Sequence, residues 1–339
     1  IYSILSTSSS PNATFNSGIT TGLDNYVWNF FPYLGKILLG GFFTTYNGTS
    51  APHFVELNIN GTFSRTGLGT GFNQSVRAIY IQPDGKIICA GTFTSYNGVS
   101  VNRIVRLNTN FTIDATFNVG TGFDNEVNHL VSDGTHIYLV GGFSNYKGLS
   151  RPRFAKIRIS DGTDDTGVNS GINDTCFGIA IQGDFLYVTG NTFTQYNGGA
   201  VAQGIVKINK NSLVQDTTFR TNMGTGLSGR GYCYGQITTS HLYLCGNFNT
   251  INGLPKSHTA RIDLNGVVDA TFPVIIPNNN VLYGRLINNN TKWAITGQFI
   301  NFGGNPSVNR FGAYDVTTGA IDTAYGLNLG NTGTTIGEY

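Results

Sequence analysis

Apolar and polar positions alternate in short runs along the whole chain, and the runs return at a fixed interval. Residues 76–82 (VRAIYIQ), 86–93 (KIICAGTF), 102–108 (NRIVRLN) and 113–117 (IDATF) are β-branched and aromatic stretches. Between them stand Pro-Asp-Gly at 83–85, a loop containing Tyr96-Asn97-Gly98, and the polar turn 109–112. Short alternating runs punctuated by Asp-Gly and Asn-Gly predict antiparallel hairpins. No window carries a helical period.

The same four-run pattern recurs. A motif of the form G-x-F-x-x-Y-N-G has its Phe at Phe43, Phe93, Phe143, Phe193, Phe248 and Phe299, with spacings of 50, 50, 50, 55 and 51. The units run over 24–66, 74–117, 124–166, 173–219, 228–272 and 279–323. Four-stranded antiparallel units repeated around an axis predict an all-β fold, a single β-propeller over 1–339, because closing a ring removes exposed sheet edges. Ile1 to Asn16 aligns without a gap to Arg103 to Asn118, and the chain finishes on what reads as a first strand. A seventh blade split between 331–339 and 1–16 is therefore expected; six blades with the end strands as a partial clasp are the alternative.

Composition narrows the function classes. Charged residues make up 11% of the chain, where an ordinary soluble domain has about a quarter, and the formal net charge is +2. With no Lys/Arg run, nucleic acid is not expected as a partner. No apolar run reaches the about 18 residues of a membrane span, so membrane insertion is not expected either. Cys89, Cys176, Cys233 and Cys245 show no CxxC spacing and read as buried thiols, with a Cys233–Cys245 bridge across one predicted hairpin as the alternative.

The GGF-type turn at Gly41 and its equivalents, the Tyr-Asn-Gly turn, the Arg-Leu-Asn strand end and the Asp-x-Thr-Phe segment together resemble the delta-60 repeat family of β-propellers. That resemblance spans essentially the whole chain. It implies a propeller of the kind found in secreted or surface-attached bacterial proteins and in some phage virions, and it implies no reaction.

An internal repeat sorts residues by role, since a residue the blade requires recurs and a single ligand site does not. Arg103/Asp114, Arg153/Asp164, His258/Asp269 and Arg310/Asp322 bracket the hairpin between strands three and four, which predicts structural charge-assisted pairs. Tyr46, Tyr96, Tyr146 and Tyr196 precede tight turns, where each ring either packs beneath the turn or offers a stacking platform to a sugar. In a four-stranded blade the loop after strand two and the segment entering from the previous blade share one face. On it lie the polar, unrepeated Asn25, Asn73, Asp124, Asn125, Asn173, Arg230 and Tyr232, candidate ligand contacts on a rigid scaffold or solvated turn formers. Trp28 falls in a predicted innermost strand and Trp293 in a second strand, both read as core. The long stretch FRTNMGTGLSGRGYCY, with Arg220 and Arg230, predicts a protruding loop.

The five histidines, His53, His129, His136, His241 and His258, are scattered over different units without zinc spacing. Asp161, Asp164 and Asp165 loosely resemble a calcium loop but lack its distal acid. No cofactor or metal is expected, and no catalysis. The expected role is an extracellular, cell-surface or virion-associated recognition or adhesion module binding a glycan or protein. An architectural part contacting neighbouring subunits is the alternative, and a polysaccharide-active enzyme a distant third.

Overall fold

The computed structural model describes residues 19–64, 69–167, 171–274, 277–304 and 310–322, with backbone alone at 233–235. The expected split blade over 331–339 and 1–16 lies outside the described residues. The chain divides into two compact units, Ile1–Val168 and Asn169–Tyr339.

The first unit holds three sheets of one design. Val27–Tyr33, Lys36–Gly41 and Phe54–Asn58 form the first, Val76–Ile81, Ile87–Gly91 and Ile104–Leu107 the second, and Val127–Ser132, His136–Gly141 and Phe154–Arg158 the third. In each, the strands are antiparallel and in sequence order, with the second strand central. A small hairpin follows each second strand, as at Ser95–Tyr96 and Val99–Ser100. Its turn has both central residues at positive φ, Asn97 at 49° and Gly98 at 79°, the geometry that matches strand twist and favours Asn-Gly.

The core lies between neighbouring sheets. Ile88, Ala90 and Ile104 of the second sheet are buried with Leu130, Ile137 and Leu139 of the third, and Leu38 and Phe54 of the first with Ile79 and Cys89 of the second. First strands of successive sheets are neighbours.

The predicted fourth strand contributes a single bridge to each third strand, as between Leu107 and Ile113. In the second sheet the Asp-x-Thr motif explains why. Asp114 Oδ1 accepts from both the backbone N and the hydroxyl of Thr116 (3.0 and 2.7 Å), and Phe117 N donates to the Asp114 carbonyl, so the chain turns instead of extending.

The second unit repeats the design in Cys176–Gln182, Phe185–Gly190 and Ile205–Asn209, in Arg230–Ile237, His241–Asn247 and Thr259–Asp263, and in Val281–Ile287, Lys292–Gly297 and Phe311–Asp315. Trp293 is fully buried against Tyr243, Phe272 and Tyr314, in the core as expected.

This unit also corrects the helix-free expectation. Thr217–Met223 is an α-helix, occupying part of the stretch read as a protruding loop. Asp216 caps it by accepting from Phe219 N (2.9 Å), Phe219 and Met223 bury one face, and Gly224 ends it at φ 49°. The helix has only two turns, too short for its apolar spacing to stand out among β-branched neighbours.

Candidate functional site

Each sheet begins with the same construction. Near its start the first strand carries one extra residue, a β-bulge: in the first sheet Val27 opposes Gly41 and Asn29 opposes Gly40, leaving Trp28 unpaired, and in the Arg230–Ile237 sheet the bulge falls one pair later. Arg77, Asn128, Phe177, Tyr232 and Leu282 are the corresponding extra residues of the other five described sheets. A bulge re-aims a side chain without disturbing the register on either side of it.

The bulge explains the repeated Gly of the second strand. A Cβ on Gly41, Gly91 or Gly141 would lie 2.1 Å from the carbonyl oxygen of Tyr26, Ser75 or Glu126, the residue entering the first strand. Only Gly permits that approach.

The entering segment and the hairpin loop meet at this end of the sheet, through side chains that the sequence marked as candidates. Asn73 Oδ1 accepts from Thr94 N and Ser95 N, both at 2.9 Å. Asp124 Oδ1 does the same for Ser144 N and Asn145 N (2.8 and 2.9 Å), and Asn173 Oδ1 for Thr194 N and Gln195 N (3.0 Å each). Burial pushes the Asp124 carboxyl up, but the bonds from Asn145 and Ser144 outweigh it and hold the group below its ordinary range. These three residues are thus committed to the loop. Asn25 and Asn125 are exposed, and their Oδ1 atoms accept only from the next backbone N, at 2.9 Å. Arg230 is exposed and its Nε donates to Asn191 Oδ1 (2.9 Å).

The repeated tyrosines are corrected as platforms. Tyr46, Tyr96, Tyr146 and Tyr196 are at most 2% exposed. Their hydroxyls donate to the carbonyls of Gly61, Phe111, Gly162 and Leu213, in the turn after each third strand. A buried ring with a bonded hydroxyl has no face to offer a sugar.

The proposed charge pairs are also corrected. Asp114 is bonded by Arg106 Nε and Lys86 Nζ, both at 2.8 Å, while Arg103 donates to the Phe123 carbonyl. Asp164 is held by Nε and Nη2 of Arg151 (2.9 and 2.6 Å), Asp269 by Arg261 (2.7 Å) and Asp322 by Lys292. Arg153 instead donates to Ser144 Oγ, and His258 Nδ1 lies 3.2 Å from the Gly246 carbonyl. The reason is the backbone: Arg103, Arg153, His258 and Arg310 sit at φ 61° to 65° at the entrance to the third strand, which turns their side chains away from the acid. Gly204 takes the equivalent place at φ 71°.

Among the described residues no group of three or more His, Cys, Asp or Glu is arranged to hold a metal. Asp161 Oδ1 accepts from Thr163 N, Asp164 is paired with Arg151, and Asp165 Oδ2 lies 2.7 Å from His136 Nε2. Thr135, His136 and Asp165 approach a nucleophile–base–acid row, with Thr135 Oγ1 2.9 Å from His136 Nδ1, yet the same hydroxyl also lies 2.8 Å from Asp133 Oδ1, a competing acceptor for its one proton. Cys89 and Cys176 are buried thiols outside any disulfide, the Cys176 thiol donating to the Asp174 carbonyl, and burial pushes the Cys89 thiol far above its ordinary range. Cys245 is disulfide-bonded, and Cys233 stands opposite it in the ladder.

What the sequence reading passed over is the bulge row. In the first unit the Arg77 guanidinium lies 5.9 Å from the Trp28 ring centre, and its Nη1 donates to Asn128 Oδ1. Trp28 is half-buried at the bulge, not in the core. In the second unit Phe177 and Tyr232 pack ring to ring at 5.5 Å. The one mark of the bulge in the sequence lies on the facing strand, in the Gly that recurs as Gly41, Gly91 and Gly141.

Repeated three-stranded sheets with bulged first strands define an all-β propeller. Residues 35–63, 82–117 and 241–272 match the family described as Domain of unknown function (DUF5122) beta-propeller. No curated protein matches the chain. Among solved structures, the chain is similar to the computationally designed Ika8 protein (9% identity, TM-score 0.50, covering 89% of this chain and 87% of that one). It is also similar to a chain of the mitotic checkpoint complex (13%, 0.51, 80% and 72%). The extracellular domain of a hybrid two component system from B. thetaiotaomicron is a third (13%, 0.52, 92% and 38%), of which the matched part is less than half. At these identities the likeness concerns the fold alone.

Proposed function

We propose that this protein is a non-enzymatic recognition module of the delta-60 repeat type, carried outside the cell, on a cell surface or on a virion. It binds a glycan or protein through the end of the sheets that bears the hairpin loops and entering segments. One observation carries this reading: at that end the recurring polar side chains, Asn25 and Asn125 among them, are spent on the chain's own backbone, while the extra residues at the bulges differ from repeat to repeat. A constant frame presenting varied side chains suits selective binding. The disulfide at Cys245 supports an oxidising location.

The test is binding of the labelled chain to glycan arrays, cells and candidate surface proteins at micromolar concentration. Saturable binding that weakens when the bulge residues are replaced supports the reading, and absence of binding to all three overturns it.

A docking role within an assembly is the second reading. It is favoured by Val99 and Leu149, exposed at the same hairpin position in successive sheets at 52% and 47%. Light scattering of the intact protein with and without Val99→Ser and Leu149→Ser tests that role, and a monomer unaffected by either change counts against it.

A further inference from the structure

The bulge row of the first unit holds three unlike groups side by side: an indole, a guanidinium and a carboxamide, each half-buried. The row is locked from two directions. Asn29 Nδ2 donates to the Arg77 carbonyl, and Arg77 Nη1 donates to Asn128 Oδ1. Trp28 Nε1 and Arg77 Nε are buried donors to which no protein acceptor is bonded. Such donors cost about 1 to 3 kcal/mol each when left unmade, and because both atoms are enclosed, contact with a ligand falls to the exposed parts of the three side chains. Arg77 forms no ion pair among the described residues; Glu126, one sheet on, acts on it through its field.

We propose that Trp28, Arg77 and Asn128 form a saccharide subsite, with a pyranose ring lying on the indole and its vicinal hydroxyls held by the guanidinium and the carboxamide. The inference rests on the recognition reading above and names its ligand class. Three features favour a sugar over a protein surface. The groups are half-buried and adjacent, with the guanidinium 5.9 Å from the indole centre and bonded to the carboxamide, close enough for one small ring to meet all three. They mix donors with the acceptor capacity of Asn128 and Glu126, as hydroxyls require, since each hydroxyl both donates and accepts. The exposed apolar residues that a protein partner would bury, Val99 and Leu149, lie on the hairpins and not in the row. In the second unit the same structural position carries the Phe177–Tyr232 ring pair, again aromatic surface placed by a bulge.

The experiment uses the whole chain against an array of linear glucan, mannan, galactan and xylan oligosaccharides, followed by calorimetric titration with the best binder. Trp28→Ala, Arg77→Ala and Asn128→Ala are each expected to weaken that binder by about tenfold or more, since each removes on the order of 1.4 kcal/mol of contact. Tyr96→Phe should leave it within about twofold. Because Arg77 also contacts Trp28 and bonds Asn128, the melting temperature of each variant is measured alongside; Trp28→Phe and Arg77→Lys serve as milder versions if an alanine variant does not fold. An oligosaccharide that binds the alanine or milder variants as well as the parent overturns the site. An empty array alongside binding to cells or proteins overturns the ligand class and leaves the recognition reading standing. No binding to array, cells or proteins overturns both.

Discussion

Replacing Gly91 with Ala tests the bulge directly. The added Cβ would sit 2.1 Å from the Ser75 carbonyl oxygen, 3.0 Å from Arg77 N and 3.1 Å from the Ser75 carbonyl carbon. The φ of Gly91 is not positive, so Ala is denied by sterics and not by backbone preference. Opening the contact to an ordinary separation moves the first strand by about 1 Å, which breaks the 3.0 Å bond from Thr92 N to that carbonyl. The lost bond and the stranded carbonyl cost about 2 to 4 kcal/mol. Displaced packing around the fully buried Val76 and Cys89 adds about 1 kcal/mol, and the lower entropy of the unfolded Ala chain returns about 0.5 to 1. The net expectation is about 3 kcal/mol, or a fall in urea midpoint of about 1 M for a slope near 3 kcal/mol/M. Gly98→Ala is the control: nothing lies within 4 Å of its Cβ, but its φ of +79° leaves only the conformational penalty of about 1 to 2 kcal/mol. A Gly91→Ala protein within about 0.5 kcal/mol of the parent, or no worse than Gly98→Ala, would refute the steric argument.

Tyr96→Phe should cost about 1 kcal/mol by stranding the buried Phe111 carbonyl, measured by urea unfolding; a cost near zero would mean that the hydroxyl does not tie loop to turn. Arg106→Met should cost about 3 kcal/mol in the same assay, because it breaks a pair 4% and 5% exposed and removes the bonds to the Ile159 and Ser160 carbonyls. Stability should also fall in acid. Burial raises the Asp269 carboxyl, but hydrogen bonds from Thr271 and Arg261 outweigh it and hold the group at about 2. Its folded value lies below the unfolded one, so its contribution, on the order of 2 kcal/mol, is present above about pH 4 and lost as the pH falls through about 2. Asp269→Asn should flatten that limb of a urea midpoint series across the acid range; an unchanged limb would count against the pairing.

The repeat, the first three strands of each unit and the Asn-Gly turns were legible because they depend on local chemistry that recurs: alternation, β-branched residues and a turn needing positive φ. The third-strand charges were half legible. The acids at Asp114, Asp164 and Asp269 are structural, but their partners are Arg106, Arg151 and Arg261, since pairing depends on side-chain direction and not on sequence distance. The fourth strand was misjudged for a similar reason: Ile113 to Phe117 has strand composition, yet the Asp114 side chain competes with the ladder for the backbone. The bulge row was not legible as a site, because a bulge is a property of two strands and only the Gly on the second one leaves a mark in the sequence.

That Gly has a consequence for how such a chain can change. The bulged residue has no ladder partner, so the ladder does not select its identity; tryptophan, arginine, asparagine, phenylalanine, tyrosine and leucine already occupy it. A library randomised at 28, 77, 128, 177, 232 and 282 should therefore keep more of its expression level and heat resistance than one randomised at Gly41, Gly91 and Gly141, which leaves the surface of such a chain freer to diverge than its frame.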